Sequence, residues 1–244
     1  MIDRPAYQSS PAFTQHLGRG RPYLRDTILG TNDGLVSMLL LVAGVVGGGM
    51  STRNVLLTAI AGAVAGAISM AAGEYMATKS QDEVFQGELK LERDHIRDHR
   101  EAELHELQDL LGAVGLHGDL QQQVVDHFGR DDESLLHVMT SLEFGVIETQ
   151  RRRPQISMLV TFVTFIFGSL PSVLPFAFLS NTRTGLMVAA AFTVLGLLAV
   201  GAIKTRATHG NPLKAAVENL LITALGSAAA YGIGTLFDRL VGGS

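Results

Sequence analysis

The sequence has 244 residues, of which 47% are hydrophobic, and its mean hydropathy of +0.26 is unusual for a soluble domain. Of its 23 acidic residues, 17 lie between Asp82 and Glu148. A soluble protein spreads its charges to remain solvated, so this segregation excludes an ordinary soluble globular protein and indicates a chain exposed to two solvents. The absence of Cys excludes disulfides and thiolate metal sites.

Five apolar segments are each long enough to cross a bilayer, which takes about 20 residues. In chain order they are residues 27–49, 55–77, 156–178, 184–203 and 215–237. A first span that began only at Gly34, after the turn signal Asn32-Asp33-Gly34, would have about 16 residues and would be too short. We therefore predict that Asp33 lies inside the first span. The alternative is a helix cap at the membrane surface.

The second span carries small residues at helical spacing, as an i+4 row and a G-x-x-x-G pair: Ala59, Ala63, Ala67, Ala71, Gly62 and Gly66. Small residues at this spacing allow helices to approach closely in lipid, which predicts a packing face. In the third span, Pro171 and Pro175 predict a kink near the outer end.

The Lys and Arg residues that flank the spans predict the topology. One side of the membrane would hold Arg4, Arg19, Arg21, Arg25, Arg151, Arg152, Arg153, Lys204, Arg206 and Lys214, and the other only Arg53, Arg183 and Arg239. Ten basic residues against three place the N-terminal segment 1–26 and the insert 78–153 in the cytoplasm. The tail 238–244 is then on the opposite side.

The acidic insert between the second and third spans is predicted to be helical. Residues 80–111 contain one Gly and no Pro and are rich in Glu, Leu, Arg and Gln, which predicts one long helix. A Gly-containing break at 112–118 comes next, and shorter helices are predicted near 119–128 and 134–148. Two spans at 27–77 and three spans at 154–237 then flank a helical domain at 78–153.

Ionisable groups inside the predicted spans are candidate functional groups, because burial in hydrocarbon is costly unless they face a partner or water. Asp33 lies in the first span, and Glu74 near the cytoplasmic end of the second. Met70, at i−4 from Glu74, shares its helix face. Two carboxylates and a thioether suit a divalent transition metal better than Mg²⁺ or Ca²⁺. The alternatives are an interfacial Glu74 that reaches water and a Met70 that only packs.

A stripe of possible metal ligands follows in the insert, at steps of three and four residues: Glu88, Glu92, His95, His99, Glu103 and Glu106. A solvated charged face is the alternative explanation. Glu92 and Glu103 would lie about 16 Å apart on a straight helix, at ~1.5 Å per residue. They can share one ion only if the chain bends near residues 99–101; otherwise there are two sites. Met139 and Glu143 repeat the i, i+4 pairing of Met70 and Glu74.

Several functions are disfavoured by the same residues. A Gly-rich phosphate loop is missing from the sequence, so we predict no nucleotide binding. The acidic insert disfavours nucleic acid. A di-iron oxidase would need two Glu-x-x-His pairs on facing helices, whereas only Glu92 and His95 fit this spacing.

Three stretches resemble the vacuolar iron transporter family of plants, fungi and bacteria: ILGTNDGLVSMLLLVAGVVGG, AISMAAGEYMATKSQDE and AAVENLLITALGSAAAYGIG. The resemblance covers nearly the whole chain beyond the first 20 residues. It implies an all-α membrane protein that forms a homodimer, with five transmembrane helices per protomer and a cytoplasmic helical metal-binding domain between helices 2 and 3. The implied activity is export of Fe²⁺, and also Mn²⁺, from the cytoplasm in exchange for protons, with no cofactor beyond the metal itself.

The resemblance also implies roles for individual residues. Asp33 and Met70 would line the translocation path, with Glu74 at its cytoplasmic mouth. The metal ligands of the insert would be Glu92, His95, Glu103, Glu106, Met139 and Glu143, with Glu88 and His99 as further candidates. His95 stands where the family has Glu, and Thr140 where a second Met can occur. The competing hypotheses are a membrane-anchored metal buffer and an iron oxidase. We expect a bacterial inner membrane as the location.

Overall fold

The computed structural model describes residues 21–143, 152–208 and 212–241, and every regular element among them is an α-helix. The helices are α1 (Arg21–Gly47), α2 (Thr52–Asp98), α3 (Arg100–Ala113), α4 (Asp119–Phe128), α5 (Asp132–Glu143), α6 (Pro154–Val173), α7 (Pro175–Phe178), α8 (Thr182–Thr208) and α9 (Pro212–Val241). Most of the predicted N-terminal segment, the last residues of the third insert helix and the end of the tail lie outside the described residues.

Five of these helices are long and apolar enough to cross a membrane, which confirms the five predicted spans. The candidate spans are Tyr23–Gly47, Thr52–Asp98, Pro154–Val173, Thr182–Ile203 and Val217–Val241. Asp33 lies well inside α1, and the Ser37 hydroxyl donates to its carbonyl at 2.5 Å as in a continuous helix. The Asn32-Asp33-Gly34 sequence is therefore helical, and the helix-cap alternative for Asp33 is wrong.

The third span is interrupted near its end. α6 starts at Pro154, where a missing N–H costs nothing because the first turn has no intrahelical acceptor for it. Pro171 is inside α6, which ends at Val173, and the single-turn α7 begins at Pro175. The kink predicted from the prolines corresponds to the end of α6 and the start of α7.

The chain divides into two compact units. One contains the described residues up to Tyr75 and from Pro154 onward, and we call it the transmembrane unit; the other is Met76–Arg153, the insert unit. α2 contributes its first half to the transmembrane unit and its second half to the insert unit.

Glycines let α1 pack directly on its neighbours in the transmembrane unit. A Cβ at Gly34 would collide with the carbonyl oxygen of Phe165 in α6, and one at Gly234 in α9 would collide with that of Gly44. The backbones therefore approach each other with no side chain between them, as small residues permit in lipid.

Replacing Gly234 by Ala is expected to destabilise the transmembrane unit by about 1–3 kcal/mol, because the added methyl group meets backbone that cannot move aside. Thermal unfolding in detergent measures the effect. The control is Gly232→Ala, two residues earlier on α9, where a Cβ would meet nothing within 4 Å. Equal stability of the two variants would contradict the close approach of α1 and α9.

The small-residue row of α2 is buried, as predicted. Exposure is at most 6% along the row that comprises Ala59, Ala63, Ala67 and Ala71. The ring of Phe165 lies over Gly66, so α2 packs against α6 through side chains inserted at glycine.

The insert unit has an apolar core of its own, formed by Ile96 of α2, Leu107 and Leu111 of α3, Val125 of α4, and Leu135, Leu136 and Met139 of α5. The predicted single helix over 80–111 is wrong, because α2 ends at Asp98 and α3 begins at Arg100. His99 between them has φ −134° and ψ 37°, outside the helical region. The break lets Leu107 and Leu111 fold back to share a core with Ile96, which a straight helix would prevent.

Candidate metal centre

The break at His99 creates a cluster of possible metal ligands in the insert unit. Glu92 and His95 lie in the last turns of α2 and Glu103 in the first turn of α3. One ligand atom from each of the three lies within 4.8 Å of the other two, and His95 Nδ1 is 3.4 Å from Glu103 Oε1. Of the two arrangements left open by the sequence, the structure shows the bent chain.

The two carboxylates of this cluster are buried in a way that suits a cation. Glu92 is 6% exposed and Glu103 is 4% exposed. Among the described residues, Glu92 Oε1 and Glu103 Oε2 have no hydrogen-bond partner. Buried carboxylate oxygens normally have a donor or a metal, so these two atoms are available as ligands for a positive ion.

The electrostatics of Glu92 and Glu143 show that further carboxylates face the same space. Burial, followed by the nearby charge of Glu103 and weaker effects of Glu143 and Glu106, raises the pKa of Glu92 to about 7. Burial, with the charges of Glu106, Glu103 and Glu88, also raises the pKa of Glu143. Negative charge is therefore concentrated where α2, α3 and α5 converge, which favours binding of a cation.

The remaining predicted ligands differ in their surroundings. Glu88 and Glu106 are exposed, and the exposed His99 ring lies edge-on to that of His95, with 6.5 Å between ring centroids. Met139 is fully buried in the apolar core of the insert unit, where it packs against leucines. The Thr140 hydroxyl donates to the Leu136 carbonyl at 2.6 Å and so is already occupied.

Arg100, which the sequence did not single out, holds the chain next to the ligand cluster. Directly after the break, its guanidinium forms an ion pair with Asp132 and donates to the Gly129 carbonyl at 2.5 Å. The neighbouring Asp131 accepts hydrogen bonds from the amide and hydroxyl of Ser134 at the start of α5. Arg100 thus ties the first turn of α3, which carries Glu103, to the loop between α4 and α5.

Replacing Arg100 by Gln is expected to weaken Mn²⁺ binding by the insert unit about threefold to tenfold. Loss of a partly exposed ion pair and a hydrogen bond to a charged donor is worth about 1 kcal/mol, and it loosens Glu103 relative to Glu92. Titration calorimetry of the purified protein measures the affinity. Arg97→Gln is the matched control, since the ion pairs that Arg97 forms with described residues are with Asp94 and Asp98 of its own helix. Equal affinities for the two variants would contradict the role of Arg100.

In the transmembrane unit, the predicted path residues lie on α1 and α2. Asp33 and Met70 are half-buried, and Met70 packs against the apolar core of this unit. Glu74 is 8% exposed, and its Oε1 lies 3.8 Å from Arg25 Nη1. Among the described side chains, no hydrogen bond or ion pair joins these three predicted residues to one another. Asn32, beside Asp33, accepts a hydrogen bond from Asn219 of α9 at 3.0 Å.

Comparison with known proteins adds independent information on the chain. Residues 24–235 match the VIT family. The chain is 34% identical to Vacuolar iron transporter 1 of Oryza sativa subsp. japonica over 210 residues, covering 86% of this chain and 83% of that protein. It is 32% identical to Vacuolar iron transporter 1 of Tulipa gesneriana over 208 residues, covering 85% and 84%. Protein CCC1 of Saccharomyces cerevisiae is 26% identical over 226 residues, covering 90% and 69%.

The names of the two plant relatives describe iron transport and no catalytic activity, in agreement with the prediction that the chain is not an enzyme. The expected bacterial inner membrane gains no support from relatives of plants and yeast and stays a prediction. The family match and the plant relatives together cover most of the sequence. The chain therefore belongs to the vacuolar iron transporter (VIT) family.

Proposed function

We propose that this chain transports divalent transition metal, moving Fe²⁺ and also Mn²⁺ out of the cytoplasm in exchange for protons. The observation that carries the proposal is the cluster of Glu92, His95 and Glu103, whose ligand atoms lie within 4.8 Å of one another in a chain with five candidate spans. The relatives named as iron transporters support the metal.

The donor atoms of the cluster suit these ions. Carboxylate oxygen and imidazole nitrogen bind Fe²⁺ and Mn²⁺ well, whereas Ca²⁺ prefers six to eight oxygens and the cluster lacks the thiolates that soft metals favour. The insert unit would gather metal, helped by the surrounding carboxylates. Glu106, Glu143, Glu88 and His99 would join Glu92, His95 and Glu103 as the metal enters.

Asp33, Met70 and Glu74 would then form the path across the membrane. A carboxylate that binds either a metal ion or protons couples their movements without nucleotide, and a thioether favours a transition metal. Glu74 would stand at the cytoplasmic mouth, beside Arg25. The basic residues that flank the spans support the proposed direction, because the topology predicted from them has the insert in the cytoplasm. A homodimer is proposed from the family resemblance.

Proteoliposomes test this function. Purified protein is reconstituted, and uptake of Fe²⁺ and Mn²⁺ is followed with an encapsulated metal-sensitive dye, alongside a pH dye and an oxygen electrode. We expect metal entry with protons moving in the opposite direction and no oxygen consumption. Metal binding without flux would replace the transporter by a metal buffer, and oxygen consumption dependent on Fe²⁺ would indicate an oxidase.

A further inference from the structure

Two hydroxyl groups in the first half of α6 are buried without a hydrogen bond to any described residue. Ser157 is 0% exposed and Thr161 is 1% exposed, and neither Oγ atom has a partner among the described residues. By contrast, the Thr164 hydroxyl on the same helix is hydrogen-bonded, because it donates to the Val160 carbonyl at 2.7 Å. Buried polar groups normally find a partner in protein or in ordered water, so these two hydroxyls need an explanation.

The packing of α1 on α6 shows what lies opposite them. A Cβ at Gly30 would be 3.0 Å from the Thr161 carbonyl oxygen, and a Cβ at Gly34, one turn later, would collide with that of Phe165. A step of four residues along α1, from Gly30 to Gly34, matches a step of four residues in the same direction along α6, from Thr161 to Phe165, so the two helices are parallel here. One turn before Gly30 stands Asp26, and one turn before Thr161 stands Ser157. We infer that Asp26 is at the level of Ser157 and Thr161.

Asp26 is itself fully buried, with 0% exposure, although it is a carboxyl group within a candidate membrane span. It precedes Asp33 by seven residues, so the two share one side of α1 about 10 Å apart along the axis. Asp33 is only half-buried in the protomer. The two acids therefore occupy different environments, and Asp26 faces the interior of the transmembrane unit.

We propose that Asp26, Ser157 and Thr161 form a proton-binding site separate from the metal path through Asp33 and Met70. A protonated carboxyl can donate to a hydroxyl oxygen, and a carboxylate can accept from both hydroxyls, so these three groups suit either protonation state once they come within bonding distance. The set has no imidazole or thioether, unlike the groups proposed to bind metal. This inference rests on the proposed exchange of metal for protons and assigns one proton a binding site in addition to the path carboxylates.

Charged side chains occur on the elements around the site, and Asp26 takes part in a further polar or electrostatic interaction. Arg152 and Arg153 directly precede α6. Arg25 is the chain neighbour of Asp26, and Glu74 of α2 lies 3.8 Å from Arg25. Between Pro154 and Val173, α6 has no titratable side chain. In the sequence, α8 carries Lys204 and Arg206 near its end, and α9 begins with Lys214 and the exposed Glu218.

The test measures protons moved per metal ion, with Mn²⁺ as the probe and both fluxes recorded in the same proteoliposomes. Asp26→Asn is expected to lose the part of the proton counterflow that passes through Asp26, so the ratio falls below the wild-type value while protons exchanged at the path carboxylates remain. A structural role alone would lower both fluxes together and leave the ratio at the wild-type value. A wild-type ratio in Asp26→Asn would overturn the proposal.

A second variant covers the case in which Asp26→Asn does not fold. Ser157→Ala combined with Thr161→Val keeps the acid and removes both hydroxyls, and we expect the pH midpoint of Mn²⁺ uptake to shift by about one unit. Thr164→Val is the matched control, because its hydroxyl is already bonded within α6. An unshifted midpoint would overturn the proposal. Wild-type protein that moves Mn²⁺ without protons would instead refute the proposed exchange itself.

Discussion

Replacing Asp33 by Asn is expected to reduce Mn²⁺ and Fe²⁺ uptake to the level of protein-free vesicles. Asn keeps the size of the side chain but removes the negative charge, and a divalent cation in a low-dielectric path depends on that charge. α1 continues for more than three turns on either side of Asp33, so the helix has no need of the carboxylate. Initial rates of uptake in proteoliposomes measure the effect.

The control for this variant is Ser37→Ala, one turn further along α1. The Ser37 hydroxyl donates to the backbone carbonyl of Asp33, so its loss leaves the carboxylate in place. Uptake by Ser37→Ala should remain close to wild type. Wild-type uptake by Asp33→Asn, in protein that elutes as a single species from size exclusion, would show that Asp33 is not in the path.

Replacing Glu92 by Gln is expected to weaken Mn²⁺ binding to the insert unit by about 100-fold, comparable to the largest losses on changing the surroundings of a metal. The substitution should also change how the stability of the metal-free protein depends on pH. The pKa of Glu92 rises from its ordinary value of 4.5 to about 7 on folding, mainly through burial. A raised pKa means that Glu92 holds its proton more tightly in the folded protein than in the unfolded chain. Protonated Glu92 therefore contributes its full stabilisation of the folded state below pH 4.5, and this contribution is lost as pH rises to about 7.

Hydrogen exchange of insert amides between pH 4.5 and 7, corrected for the intrinsic rate, measures this dependence. Metal-free wild type should lose protection as pH rises, and saturating Mn²⁺ should restore it by neutralising the carboxylates. Glu92→Gln should show a much flatter profile. Glu101→Gln, on an exposed position of α3, should keep both the affinity and the profile. If Glu92→Gln retained the wild-type profile, Glu92 would not be the group that titrates.

The sequence predicted the parts of the fold that follow from local composition. Five apolar segments gave five candidate spans, and helix α4 was placed at its observed bounds because breaks flank it on both sides. The length needed to cross a bilayer correctly placed Asp33 inside a helix despite its turn-like neighbours. The ligand stripe identified the residues that the structure brings together in Glu92, His95 and Glu103.

Long-range contacts explain what the sequence could not predict. No Gly or Pro near His99 indicates a helix break in the sequence. The break depends on leucines of α3 that pack into a core with Ile96 and residues of α5. Arg100 contacts Asp132 across 32 residues, and no local spacing marks such a pair. Burial of Asp26 depends on how α1 packs against other helices, and only the three-dimensional arrangement reveals it.

The water accessibility of position 33 tests the central claim most directly. The chain has no Cys, so Asp33→Cys provides a single reactive thiol without further changes. A membrane-impermeant thiol reagent applied to oriented vesicles should label Cys at position 33 from the cytoplasmic side, while Leu35→Cys, 2% exposed in the wild-type packing, should stay unlabelled. A thiol at position 33 that reacts from neither side would show that no aqueous route reaches Asp33, and would contradict its role in transport.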